Sequence, residues 1–214
     1  MSDRRRCLAG ALVAAVSATS AAAASLEVRL VDGRGQPVDG AVVVARGVGA
    51  PPPPPAEMAV MDQVEEQFVP ELLTVPVGTT VNFPNRDDIR HHVYSFSEAK
   101  QFELPLYKGE PAEPVRFEKP GPVVLGCNIH DHMRGYIFVA GSPHYAVSGE
   151  DGRVELGDLP PGDYEVEAWH PRQKGESARG TAVVADGGAA GLDLELDLKP
   201  ALRLRRGGAR GRKY

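Results

Sequence analysis

Apolar and polar residues alternate along most of the chain with the two-residue period of a β-strand. LEVRLV (26–31) is the first such run, and AVVVA (41–45) follows it after the turn sequence DGRGQPVDG. Successive strand side chains point to opposite faces, so this alternation marks half-buried strands. Five consecutive prolines, Pro51 to Pro55, then interrupt the pattern. Such a run makes a stiff polyproline II spacer of about 3 Å per residue. Beyond it FVPELLTVP, TTVNFPN, HHVYSFS, PVRFEKPG, VVLGC and YIFVA read as strands, broken by Pro-Gly and Asn-Arg-Asp-Asp. A third stretch opens at about Tyr145 with YAVSGEDGRVELGDLPPGDYEVEAWHP and continues through TAVVAD and LDLELDL. A 3.6-residue period is sustained nowhere; Met58 to Gln67 is read as one short helix at most. The expected class is all-β, with sandwich or barrel packing.

Strand counts suggest how the stretches combine. Residues 26–46 supply two strands, too few to bury a core. Residues 145–198 supply four or five more. The preferred organisation joins 26–46 and 145–198 into one discontinuous sandwich, with 51–143 inserted as a second domain. The alternative is two consecutive sandwiches.

The N-terminus changes the picture of where this chain works. Three arginines precede an apolar run from Leu8 to about Ala18, and Ala22-Ala23-Ala24 fits a small-residue cleavage site. That is the pattern of a secretory signal peptide over residues 1–24, and the expected location is periplasmic or secreted. No segment reaches the roughly 18 apolar residues of a membrane-spanning helix. Removing residues 1–24 takes away three arginines and one aspartate, a net +2, and moves the formal charge from −5 to −7. The C-terminal segment 199–214 is basic and is expected to be a disordered tail, able to touch an acidic partner or a membrane surface. The strongly acidic remainder argues against nucleic acid as a partner.

Cleavage also removes Cys7, leaving Cys127 as the single cysteine. A lone thiol in an oxidising compartment is an intermolecular disulfide, an inert buried thiol or a metal ligand. Its neighbours narrow the choice. GCNIHDHM (126–133) places Cys127, His130 and Met133 in the spacing C-x2-H-x2-M. Thiolate and thioether suit Cu(I), while imidazole serves both copper oxidation states. A second histidine is needed, and VNFPNRDDIRHHVYSF (81–96) offers His91 or His92. Neighbouring strand residues face opposite ways, so one of the two faces the site. Zinc on cysteine and histidines, or a catalytic Cys–His pair, fit less well: no structural zinc spacing, no oxyanion turn and no orienting carboxylate beyond Asp131 accompanies them.

The pattern Asn85, His91, Val93, then Pro120, Gly121, Cys127, His130, Met133 resembles the ligand pattern of cupredoxins, and its short loop is similar to that of amicyanin. VDGRGQPVDGAVV (31–43) and DGRVELGDLPPGDYEV (151–166) resemble the carboxypeptidase regulatory-like, or transthyretin-like, sandwich. The combination is similar to bacterial proteins called methylamine utilisation or plastocyanin-like proteins. The resemblance implies a cupredoxin Greek-key sandwich beside a regulatory-like one. It implies one copper ion on His91, Cys127, His130 and, as weak axial ligand, Met133, with the backbone of Asn85 near the sulfur. It implies single-electron transfer with a redox partner protein rather than enzymatic turnover, because a closed ligand set leaves no position for substrate. Copper storage, sensing or delivery is the alternative, and a non-redox interaction module a second. Two departures bear on this choice. His92 stands where cupredoxins usually carry an asparagine that ties the ligand loops, and His132 stands before the methionine, which makes both histidines rival ligands.

Overall fold

The computed structural model describes residues 24–111 and 113–200, and every regular element among them is a β-strand. The expected signal peptide, apart from Ala24, and the basic tail from Ala201 onward lie outside the described residues. No helix among the described residues is long and apolar enough to cross a membrane.

Alternation places the first strands. In β1 (Ser25–Asp32), Leu26, Val28 and Leu30 are fully buried while Glu27 and Arg29 are exposed. β2 (Val42–Gly47) breaks that rule, because Val42 through Ala45 are all buried. A strand buried on both faces reads as a continuous apolar run, and this one lies between two cores. Val43 and Ala45 join one core; Val42 and Val44 join another.

The segment that follows forms its own sheets. Its strands are β3 (Ala59–Val60), β4 (Asp62–Val64), β5 (Gln67–Val69), β6 (Leu72–Pro76), β7 (Thr80–Asn82) and β8 (His91–Ser97). Then come β9 (Lys100–Tyr107), β10 (Val115–Arg116), β11 (Gly121–Cys127) and β12 (His130–Ala140). Five of them run in the order β6-β12-β11-β8-β9, three in the order β10-β7-β3, and β4 and β5 make a hairpin. They enclose one core that includes Met61, Phe83, Val93, Phe117, Leu125 and Ile137.

The chain then returns to the first sheets with β13 (His144–Val147), β14 (Arg153–Leu156), β15 (Gly162–Trp169), β16 (Ala178–Val184) and β17 (Ala189–Leu196). β1 sits between β14 and β17, and β2 between β13 and β15, with β16 at the edge. These seven strands, drawn from both ends of the described chain, share one core. The Asp-Gly turn before β14 requires its glycine: at Gly152, φ is 69° and a Cβ would lie 2.5 Å from the Leu30 carbonyl oxygen. Where the two sets of sheets meet, Val42, Val44 and Trp169 bury against Phe138 and Ala140 of β12.

Two local expectations are corrected. Residues 58–67 form strands and no helix: Met61 and Gln63 are both fully buried with Asp62 partly exposed between them, a period of two. FVPELLTVP is two strands and not one. Pro70 and Glu71 separate β5, which pairs with β4, from β6, which pairs with β12.

Candidate metal centre

Three neighbouring strands deliver the side chains. His91 opens β8, Cys127 ends β11 and His130 opens β12. Cys127 pairs with Val93 on one side and with His130 across the tight hairpin on the other. Alternation along β8 buries His91, Val93 and Ser95, and turns His92 and Tyr94 outward. His91 therefore faces the Cys127 sulfur and His92 does not. The His92 ring instead meets Glu103, with Nε2 2.8 Å from Oε1. The tie between the ligand segments is made by the backbone, Asn128 N–H donating to the His92 carbonyl at 3.3 Å.

The three donor atoms form a compact triangle. Cys127 Sγ lies 3.7 Å from His91 Nδ1 and 3.6 Å from His130 Nδ1, and the two nitrogens are 3.2 Å apart. The point equidistant from all three is about 2.0 Å from each, close to the roughly 2.0–2.3 Å that imidazole nitrogen and thiolate sulfur keep from a bound transition metal. His91 is fully buried and Cys127 is a free, buried cysteine. Met133 is 2% exposed and packs in the same core as Cys127. Gly126, just before the cysteine, lies under the Tyr94 ring; a Cβ there would stand 2.8 Å from it.

Asp87 fixes the orientation of His91. Its Oδ2 is 2.8 Å from His91 Nε2, so the ring donates its Nε2 proton outward and turns the Nδ1 lone pair toward the sulfur. The same carboxylate accepts the N–H groups of Glu65 at 2.7 Å and Glu66 at 2.9 Å. Burial pushes the Asp87 carboxyl up. The Glu66 N–H, the His91 ring and the Glu65 N–H outweigh that and hold it below the usual carboxylate range. Asp87 reads in the sequence as a turn residue, and no local signal separates it from Asp88.

Asn85 braces the loop instead of the sulfur. Its backbone N–H donates to Gly109 O at 2.8 Å, and its side chain donates to Ile89 O and Tyr107 O and accepts from Asp87 N–H. Behind it Gln63, fully buried, donates to Phe83 O and to the Tyr107 hydroxyl. Burial pushes that hydroxyl up to about 12. Neither Gln63 nor Tyr107 stood out in the sequence as part of a polar network.

His132 lies outside the triangle. Its side chain is 65% exposed and its Nε2 stands 3.2 Å from Glu66 Oε2. His170 accepts the Arg172 N–H on Nδ1 at 2.9 Å and so holds a turn. His144 is half-buried against the Tyr164 ring.

No protein-family model matches the chain, and no curated protein matches it. Solved structures do. A reduced mutant of amicyanin is 29% identical over 38% of this chain and 81% of its own, with a TM-score of 0.35. A purple cupredoxin from Nitrosopumilus maritimus is 24% identical over 40% of this chain and 100% of its own, with a TM-score of 0.34. A copper-containing nitrite reductase from Thermus scotoductus is 31% identical over 52% of this chain but only 28% of its own, with a TM-score of 0.36.

Proposed function

We propose that this chain is an exported cupredoxin-type protein that holds one copper ion on His91, Cys127 and His130, with Met133 as a weak axial ligand, and passes single electrons to a partner protein. The observation that carries the reading is the donor triangle: two imidazole Nδ1 atoms and one thiolate around a point about 2.0 Å from each. Copper, when bound, supplies exchange between Cu(I) and Cu(II). The chain's own part is to hold the donors still. β-Pairing fixes Cys127 between its neighbours, Asp87 fixes the His91 tautomer, and Met133 is held in the core beside Cys127. Small rearrangement between oxidation states is what fast electron transfer needs. His130, with its side chain 18% exposed, is the ligand whose edge reaches the surface, beside the half-exposed Ile129. The sheets that carry β1 and β13–β17 would serve as scaffold or docking module.

Copper delivery is the second reading, and the exposed His132 beside the site favours it. The test is the visible spectrum of the purified protein after addition of Cu(II), with Cys127→Ala alongside. An intense blue band, lost on reduction and absent in the variant, is expected. A pale or green product would move delivery ahead, and no Cys127-dependent colour would sink the copper reading.

A further inference from the structure

The outer edge of His130 carries a second set of donors. Glu66 Oε2 lies 3.2 Å from His132 Nε2 and 4.0 Å from His130 Nε2. The two histidine rings are neighbours, with centroids 6.0 Å apart. These atoms are separate from the inner triangle, which uses the opposite nitrogen of His130. We propose that Glu66, His132 and His130 Nε2 form a second, surface site for a divalent transition cation.

Three features carry the assignment. Two imidazoles and a carboxylate are the donor set that zinc and other borderline divalent cations take, and such sites keep a position open to water. Glu66 already stands within 4.0 Å of both histidines, and the His132 and Glu66 side chains, 65% and 41% exposed, have the rotamer freedom to draw the two imidazoles together around an ion. The third is the position of Glu66. It occupies the two-residue turn of the β4–β5 hairpin, where φ is 51° at Glu65 and 57° at Glu66. Such turns favour Asn-Gly, because left-handed backbone is unfavourable for other residues. Asp87 holds both turn N–H groups and so presents Glu66 to the two histidines from a fixed hairpin.

The shared ring links the two sites. A neutral imidazole carries one proton, which sits on Nδ1 when Nε2 binds an ion outside and on Nε2 when Nδ1 binds one inside. Holding an ion on both nitrogens requires the ring to release that proton to solvent as the imidazolate, so occupation of one site weakens the other, and the coupling is reciprocal. The outer site is thereby placed to capture a cation from solvent and to hold it less tightly once the inner site fills. The assignment stands without the electron-transfer reading, since it needs no thiolate.

Calorimetric titration of the purified protein with Zn2+ tests it, in wild type, His132→Ala, Glu66→Gln and Cys127→Ser. Wild type is expected to take up two equivalents, the second at least tenfold more weakly. His132→Ala and Glu66→Gln should each keep only the inner equivalent, while Cys127→Ser keeps the outer one. Both outer residues are solvent-facing, so unchanged thermal melts of the two variants would exclude misfolding. Isotherms of His132→Ala and Glu66→Gln that superimpose on wild type would overturn the proposal. So would a single wild-type equivalent that Cys127→Ser abolishes, leaving the inner site intact. A single equivalent lost in His132→Ala and kept in Cys127→Ser would support the outer site and count against the inner one.

Discussion

At the level of single residues, Asp87 does more than its sequence position suggests. One carboxylate orients His91 and satisfies two turn N–H groups. Asp87→Ala is expected to weaken copper binding about 10–100-fold, the usual cost of losing the partner of a ligating histidine, as read by competition with a chromophoric chelator. An unchanged affinity would show that the packing around His91 orients it alone. Gly126→Ala sets a Cβ against the Tyr94 ring and is expected to cost about 1–3 kcal/mol in urea unfolding. His170 gives a pH dependence. Burial lowers its pKa first, the Arg172 charge lowers it further, and Asp39 opposes both without reversing them. The unfolded chain then binds the proton more readily, so stability from this group is full above its ordinary value near 6.5 and falls as pH drops below it. His170→Asn should flatten the difference in urea midpoint between pH 7.5 and pH 5.5; equal slopes in both proteins would refute the assignment.

Among the elements, the β4–β5 hairpin trades local comfort for placement. Replacing Glu65-Glu66 by Asn-Gly puts residues suited to positive φ into the turn. Stability is expected to rise by about 1–2 kcal/mol, seen as a higher melting temperature, while the outer Zn2+ equivalent disappears. A gain in stability with the outer equivalent retained would show that Glu66 is a turn residue alone. β2 makes the complementary point. Its apolar run reads as an ordinary strand, yet both of its faces are buried because two bodies pack on it.

For the whole molecule, the junction decides whether the two sets of sheets unfold together. Trp169, the one tryptophan of the chain, packs there with ring centroids 5.5 Å from Phe138 and 5.9 Å from Tyr136. Phe138→Ala removes a buried aromatic and is expected to cost about 3–5 kcal/mol. Trp169 emission should shift to the red in that variant, and its melt should separate into two steps. A melt that stays single and unshifted would place the coupling elsewhere, in the Ser142 hydroxyl bond to Ala45 O for instance.

Strand content was written in the chain, because alternation is a local property that each strand carries by itself. The all-β class followed from it, and so did the expectation that His91 and His92 face opposite ways; the choice of His91 came from the resemblance carried by Val93, and the burial pattern of β8 places it inward. The spacing of Cys127, His130 and Met133 likewise marked one loop. Where the sequence misled was at Met58 to Gln67, whose first strand pairs with β7, and at FVPELLTVP, whose second half pairs with β12; in both, a distant partner sets where one strand stops and the next begins. Tertiary structure alone decided that Asp87 meets His91, that Glu66 meets His132, and that Gln63 and Tyr107 share a buried network. Each joins residues from different strands and loops, brought together by the closing of sheets and not by any periodicity. Donor identity is a property of residues and could be read in order; donor geometry is a property of distances between strands, which only the folded chain fixes.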